Sequence, residues 1–305
     1  MSHRSRTVGV LVVTGAALLS SIGGVGVAQA DPTLPASITA LFDSGSAALG
    51  SSAPAADAPR LASIDNFRDV AGTGAGYTGL AGLHVNKGVF YRADAMVPNE
   101  ADLATLTSLG LSTVYDLRSD AEAAKKPDVL PSGVTYTHLP IGGGDYTTIL
   151  ADIKTVEDSR TYMQDTNRRF VTDATSRAQF GAMLTDMATA TGPTVFHCTG
   201  GKDRTGWASY LLLSLAGVDA QTIMDDYLLT NEYTKDSIAS HLAVLERLFP
   251  DTAASMAPLV GVEASFLQAG IDQLTADYGT VDGYLTEGLG LSPQTVVALK
   301  AKLLR

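Results

Sequence analysis

Cysteine is nearly absent from this chain, which has a single one, Cys198, among 305 residues. One thiol cannot form an internal disulfide or supply the sulfur ligands of a cysteine-based zinc site. Basic residues are also in deficit, since 21 Lys and Arg face 32 Asp and Glu, a net charge of −11. Neutralisation of phosphates supplies most of the affinity for nucleic acid, so we do not expect this acidic chain to bind nucleic acid.

Proline is scarce as well, with 12 residues, and 17% of the chain is charged whereas 45% is hydrophobic. These proportions are typical of a globular protein with a buried core and unlike those of a disordered or collagen-like chain. The length allows one large α/β domain or two domains. Because we find no internal repeat and no sign of a second core, we predict one domain, spanning residues 61–305.

The first 30 residues have the order of a secretory signal peptide. Arg4 and Arg6 precede an apolar stretch, and the small-residue motif Ala28-Gln29-Ala30 follows it. We therefore expect cleavage before Asp31, a secreted mature chain, and no membrane span after cleavage. A retained anchor is the alternative, because the apolar stretch and its flank approach the ~20 residues that cross a bilayer.

Residues 31–60 are predicted to be a flexible tether. Between residues 44 and 59, every residue except Leu49 and Asp57 is Ser, Gly, Ala or Pro. Such a segment has few side chains to bury.

Beyond the tether, short β-rich runs alternate with helical patterns. The strands are predicted at 89–91, 113–115, 134–136 and 194–196. Leucines spaced along one helix end at Gly110, and Ser119 and Glu122 have the spacing of a capping box that opens another. After Gly206 the patterns are helical, at 219–229, 235–249, 262–278 and 293–304. The alternation predicts an α/β fold, with a mainly parallel sheet flanked by helices and a helical C-terminal layer.

Residues 192–206 are the most informative segment. A short apolar strand delivers Cys198 to the carboxyl edge of the sheet, where open α/β folds bind ligands. A glycine-bearing loop then leads into an apolar helix, so that backbone N–H groups and the helix dipole converge on an anion. Arg204 follows six residues after Cys198, a spacing that lets its guanidinium grip the same anion. A phosphate bound there presents its phosphorus to a thiolate.

The sequence from His197 to Gly206, H-C-T-G-G-K-D-R-T-G, resembles the signature of the cysteine-based protein tyrosine phosphatases. It is similar to the bacterial branch that includes the secreted mycobacterial protein tyrosine phosphatase B. Supporting matches are Asn66-Phe67-Arg68-Asp69-Val70, Tyr91-Arg92-Ala93-Asp94, Asp116-Leu117-Arg118-Ser119 and residues 278–291. The resemblance implies a tyrosine-phosphatase-like fold and hydrolysis of phosphomonoesters through a phosphocysteine, without metal or other cofactor. It implies a phosphorylated protein or a phosphoinositide as substrate.

The resemblance and the chemistry together assign roles to the loop. We expect Cys198 to be the nucleophile and Arg204 to clamp the phosphate and stabilise the transition state. The other phosphate-binding residues are Thr199, Gly200, Gly201, Lys202 and Thr205. The Thr205 hydroxyl is also expected to donate to the sulfur. A role as a helix cap is the alternative, and the two roles are compatible. His197 is expected to orient the loop from beneath.

The proton donor for the leaving group is an open question. The Trp-Pro-Asp loop of familiar tyrosine phosphatases has no counterpart here, because the single tryptophan follows the phosphate loop. Asp203 is the first candidate, and a role in anchoring the loop is its alternative. Asp116 is the second, and its alternative is a bracing salt bridge to Arg68 or Arg92. Asp94 is a third candidate.

Lys202 and the C-terminal helices also have two possible roles each. Phosphatases that act on inositol lipids resemble this chain in having a lysine at the position of Lys202, so this side chain is a candidate to bind a phosphorylated headgroup. The alternative is that Lys202 is a solvated side chain with no such role. One or two helices between residues 219 and 249 form either a lid over the loop or ordinary packing on the sheet.

Other function classes fit this sequence less well than a phosphatase does. Sulfur transferases and arsenate reductases also use a loop cysteine, but arsenate reduction usually needs resolving thiols that this chain lacks. An inactive phospho-binding module commonly loses the cysteine or the arginine, and both are present.

Overall fold

The structure, a computed structural model, describes residues 55–142 and 152–305. The predicted signal peptide and most of the predicted tether therefore lie outside the described residues. Within the described ranges, no helix has both the length and the apolar character needed to cross a bilayer.

Five short strands in the described part of the chain form one sheet. They are β1 (Arg68–Asp69), β2 (Phe90–Ala93), β3 (Thr113–Asp116), β4 (Thr135–His138) and β5 (Thr194–His197), in the order β1-β2-β5-β3-β4. Only the β1–β2 pair is antiparallel. The four predicted strands and the mainly parallel sheet are confirmed. The two-residue β1 was not predicted, because it is too short to show an alternating pattern.

The register of the three middle strands positions the site. His197 of β5 pairs with Ala93 of β2 on one side and with Asp116 of β3 on the other. Since parallel strands end at the same edge of a sheet, the chain leaves all three strands side by side there. The residues that follow are therefore brought together at this edge, with Cys198 in the middle.

Ten α-helices of four or more residues surround the sheet in the described ranges. They are α1 (Glu100–Ser108), α2 (Asp120–Lys125), α3 (Val156–Thr172), α4 (Ala174–Thr189), α5 (Asp203–Leu215), α6 (Ala220–Tyr233), α7 (Lys235–Leu248), α8 (Ala253–Met256), α9 (Ala264–Tyr278) and α10 (Pro293–Leu303). Single turns at Leu80–Gly82 and Val281–Gly283 and a π-helical turn at Tyr284–Gly288 add to these. The helices predicted after Gly206 are confirmed as α6, α7, α9 and α10.

Local sequence explains several helix ends. The chain after α1 turns at Gly110 with a φ of +65°, a conformation that favours glycine. Ser119 and Glu122 form the predicted capping box of α2, with each side chain accepting a backbone N–H of the other residue. Ser292 caps α10, which has Pro293 in its first turn.

The main core lies around α5, which runs through the middle of the fold. Twelve of the thirteen residues of α5 are buried. Its Trp207 lies against the rings of Phe170, Tyr210 and Tyr284. Two further apolar clusters accompany this core in the described ranges. One joins α7 and α8 to α3 and α9, and the other packs Leu106 of α1 against Val114 and Val195 of the sheet.

Residues 55–60 already contact the folded domain. The Asp57 carboxylate accepts a hydrogen bond from Gly74 N at 2.8 Å and pairs with Lys87. The guanidinium of Arg60 lies 3.4 Å from the centre of the Tyr233 ring. The predicted tether therefore ends earlier than residue 60.

Gly270 lies within α9, where an alanine would raise the helix propensity but would enter a closely packed space. Substituting it shows which of the two effects dominates the free energy of unfolding. A Cβ at Gly270 would lie 2.8 Å from Cζ3 of Trp207 and 3.2 Å from Asn167 O. Gly270→Ala should therefore destabilise the protein by about 1–3 kcal/mol in urea unfolding, because overpacking outweighs the gain in helix propensity. Ala276→Gly, on the exposed face of the same helix, is the control and should cost about 1 kcal/mol. A gain in stability from Gly270→Ala would contradict this packing.

Candidate active site

Cys198 lies at the carboxyl end of the central strand and is only 3% exposed. The loop that follows it crosses the end of β2, where Ala95 N donates to Thr199 O at 3.3 Å. Gly201 has a φ of +62°, and a Cβ there would lie 2.5 Å from Ala93 O. Only glycine fits so close to the neighbouring strand, so the loop is fixed against β2 and not only by its own turn.

Arg204 is held by a carboxylate that the sequence reasoning did not assign to the site. Its Nη1 and Nη2 donate to Oε2 and Oε1 of Glu122, both at 2.8 Å. Nη1 also lies 3.2 Å from Leu117 O. The same carboxylate accepts the hydroxyl of Thr199 at 2.5 Å. Glu122 thus joins the start of α2 to both ends of the loop and fixes the plane of the guanidinium.

The ionisation of Glu122 follows from these contacts. Burial alone would raise the pKa of the Glu122 carboxyl, but the hydrogen bonds and charge of Arg204, with Thr199 and Ser119 N, hold that pKa far below its usual range. Glu122 is therefore a permanent anion beside Arg204. The capping-box motif was the only sequence signal for it, and that motif accounts for a helix end equally well.

Asp116 is committed to Arg118. Its carboxylate accepts from Arg118 Nε at 2.8 Å and Nη2 at 2.7 Å, and from the Tyr136 hydroxyl at 2.8 Å. Burial opposes ionisation, but the Arg118 contacts outweigh it and lower the pKa of Asp116. This environment favours the bracing role over proton donation. The expected partners, Arg68 and Arg92, are bound elsewhere.

His197 lies beneath the loop among buried charges. Its Nε2 is 3.0 Å from Oδ2 of Asp128, and its Nδ1 is 3.3 Å from Cys198 O. Asp116, Asp128 and His197 are close enough for their ligand atoms to surround a metal ion. Arg118 instead pairs with both carboxylates, at 2.7 Å and 2.8 Å, so this cluster is an ion-pair network.

Asp203 and Asp94 both lie at the loop. Asp203 is the first residue of α5, where its carboxylate accepts from the Tyr227 hydroxyl at 3.3 Å and lies 3.8 Å from the Lys202 ammonium. Asp94 follows β2, next to Cys198 by register, and its buried Oδ1 has no hydrogen-bond partner within the described ranges. Burial raises the pKa of Asp94 well above its usual range. Both remain candidates for the proton donor.

Thr205 lies in the first turn of α5 and is fully buried. Its hydroxyl makes no hydrogen bond to any residue that the structure describes, the sulfur of Cys198 included. The helix begins at Asp203 with Lys202 in the capping position, so the interpretation of Thr205 as a helix cap is wrong.

Lys202 is a buried residue, 6% exposed, so the solvated alternative is wrong. Its ammonium donates to Leu259 O at 3.1 Å, and burial lowers its pKa. Leu259 belongs to the apolar cluster between α7, α8, α3 and α9. The segment between α8 and α9 that contains Leu259 therefore lies against the loop at Lys202.

Glu122 has two roles, since it pairs with Arg204 and also belongs to the capping box of α2. Two variants separate the effects of these roles on activity. Glu122→Gln should lower kcat/KM for a small aryl phosphate about ten- to hundred-fold, because charge-assisted hydrogen bonds of about 1.5–3 kcal/mol no longer orient Arg204. Ser119→Ala, which removes the cap of α2 but keeps the pair, should leave kcat/KM near wild type and cost about 1 kcal/mol of stability. Equal losses of kcat/KM in both variants would assign the effect to the helix end.

Comparisons with known proteins agree with this geometry. Residues 59–305 match a family model described as the tyrosine phosphatase family. A protein of Cupriavidus necator named as a tyrosine-protein phosphatase is 31% identical over 229 residues, 74% of this chain and 82% of its own length. The triple specificity protein phosphatase PtpB of Mycobacterium tuberculosis is 29% identical over 275 residues, 78% of this chain and 96% of its own.

Among solved structures, TpbA of P. aeruginosa matches with a TM-score of 0.26 and 19% identity, over 53% of this chain and 89% of that chain. The family match includes Cys198, Arg204 and the helix that carries Glu122. This chain belongs to the tyrosine phosphatase family, and it is an enzyme of the phosphoric monoester hydrolase class.

Proposed function

We propose that this chain is an exported phosphatase that hydrolyses phosphomonoesters through a covalent phosphocysteine at Cys198. The observation that supports it most is the placement of Cys198 at the end of the central strand, with Arg204 held beside the same loop by Glu122. Export is inferred from residues 1–30 alone.

The proposed reaction has two steps. In the first, the Cys198 thiolate attacks phosphorus, the bond from phosphorus to the leaving oxygen breaks, and that oxygen takes a proton from an aspartic acid. In the second, water attacks phosphorus, the sulfur–phosphorus bond breaks, and the aspartate takes the proton from water. Arg204 and the loop amides bind the charge on the phosphoryl oxygens in both steps. No step requires a metal ion.

Phosphotyrosine is the proposed substrate, and a phosphoinositide is the alternative. The alternative is supported by Lys202, a second cation in the loop, and one relative is named for triple specificity. The Lys202 ammonium is bound to Leu259 O in this structure, so it would have to leave that carbonyl to meet a second phosphate.

Leaving-group dependence tests the proposal and locates the proton donor. We measure turnover of two aryl phosphates, one with a good and one with a poor leaving group, in the presence of EDTA. Asp203→Asn should lose about a hundred-fold or more with the poor leaving group and far less with the good one, which needs little protonation. Asp116→Asn should lower the midpoint of thermal unfolding and affect both substrates alike, since Asp116 is paired with Arg118.

Cys198→Ser is the inactive control. If Asp94→Asn shows the leaving-group pattern and Asp203→Asn does not, Asp94 is the donor. Turnover by wild type that is lost in EDTA and restored by added metal would overturn the mechanism.

A further inference from the structure

Two arginines and one aspartate form a buried cluster beneath the phosphate loop. Arg68, Arg92 and Asp226 are 3%, 0% and 2% exposed. Arg68 comes from β1, Arg92 from β2 and Asp226 from α6. We call this group the Arg68–Asp226–Arg92 cluster.

Asp226 is shared between the two guanidinium groups. Its Oδ1 lies 3.3 Å from Arg68 Nε, and its Oδ2 lies 3.1 Å from Arg92 Nη1. Arg68 Nη2 also donates to the Asp226 carbonyl at 2.9 Å. The Tyr77 hydroxyl contacts Oδ1 at 3.2 Å and adds no charge. The cluster therefore holds two positive charges and one negative charge.

The cluster grips the loop at one carbonyl. Arg92 Nη2 donates to Gly201 O at 2.8 Å. Asn66 Nδ2 donates to the same oxygen at 2.7 Å, while its own Oδ1 accepts from Arg68. Both arginines thus act on Gly201, Arg92 directly and Arg68 through Asn66.

Arg92 also lies near the start of α5. Its Nη2 lies 3.8 Å from the position that a Cβ of Gly206 would occupy, at the start of α5. Arg92 is opposite Phe196 in the β2–β5 register, two residues before Cys198.

An excess positive charge in the interior of a protein is costly. Holding the Gly201 carbonyl in place does not by itself require such a charge. A neutral amide side chain also donates a hydrogen bond to Gly201 O. A buried cation beside an anion site, in contrast, stabilises a thiolate and a bound phosphate without contacting either one.

We propose that the Arg68–Asp226–Arg92 cluster is a built-in second cation of the phosphate site, in which Arg92 positions Gly201 and favours the ionised form of Cys198. Asp226 moderates this positive potential by sharing its charge between the arginines. Arg92 is then a positioning residue, since it acts through the loop and through the field at the sulfur. The proposal rests on the proposed phosphocysteine chemistry.

Other charged and titratable groups also lie around the loop. They are Arg204 with its partner Glu122, Lys202, Asp203 with the Tyr227 hydroxyl, and the Asp94 carboxyl after β2. None of these is altered in the variants below. A change in thiol ionisation is therefore attributable to the cluster.

The test is the pH dependence of iodoacetamide alkylation at Cys198, read by mass spectrometry with no substrate present. Arg92→Gln should move the midpoint of this curve upward by about one pH unit, and Asp226→Asn should move it downward. Arg92→Lys, which keeps the charge, should restore the midpoint but lower kcat/KM, because one ammonium cannot reproduce the two directed contacts of Nη2 with Gly201 O and of Nη1 with Asp226. A merely structural role of the cluster would not shift the midpoint in opposite directions in Arg92→Gln and Asp226→Asn.

Lys300→Gln is the matched control for loss of a buried cation. Lys300 is 0% exposed, in α10, with its Nζ 3.9 Å from Asp282, and this variant should leave the midpoint unchanged. Asp226→Asn leaves two buried arginines without a counter-charge. If circular dichroism shows that it does not fold, Arg68→Gln replaces it and should give a smaller upward shift than Arg92→Gln.

An unchanged midpoint in Arg92→Gln, or shifts of the same sign in Arg92→Gln and Asp226→Asn, would overturn the inference. With Arg68→Gln in place of Asp226→Asn, the absence of an upward shift would overturn it. Because alkylation needs no turnover, this outcome is separate from failure of the proposed function, which would appear as hydrolysis that survives Cys198→Ser.

Discussion

The forked ion pair between Arg204 and Glu122 is the contact on which the geometry of the site depends. It links two helices that begin at the same edge of the sheet, α2 after β3 and α5 after β5. Without an anion at that point, the guanidinium would be a buried cation beside the carbonyls of Leu117 and Ile141, which is a costly arrangement. The pair therefore stabilises the fold and sets the direction of the arginine in one interaction.

The loop is fixed by partners from distant parts of the chain. Gly201 is held from below by Asn66 and Arg92, and Glu122 holds Thr199 at the start of the loop. Above it, the Leu259 carbonyl binds Lys202. A loop held from below, from the side and from above keeps its shape in the absence of ligand, which is the preorganisation that electrostatic catalysis needs.

Much of this arrangement was predictable, because it follows from local sequence. The strand at 194–196, the loop from Cys198 and the helix that buries Trp207 form one continuous segment, and their order alone indicated an anion site. The parallel sheet followed from the alternation of strands and helices.

The long-range partners were not predictable. Arg68 and Arg92 were expected beside Asp116, yet they pair with Asp226, more than a hundred residues further along the chain. Glu122 showed only a capping signal, because a helix end and an arginine partner use the same residue type. Lys202 is buried by residues of the cluster that contains Leu259, more than fifty positions further along the chain. The sequence of the loop carries no signal for this packing.

The central claim is that phosphate is transferred to Cys198 itself. Rapid acid quench of the enzyme during turnover of an aryl phosphate, followed by mass spectrometry of the peptide that contains Cys198, tests it most directly. The account predicts one phosphate on that peptide in wild type and none in Cys198→Ser. Sustained turnover with phosphate on another residue, or on no residue at any quench time, would contradict it.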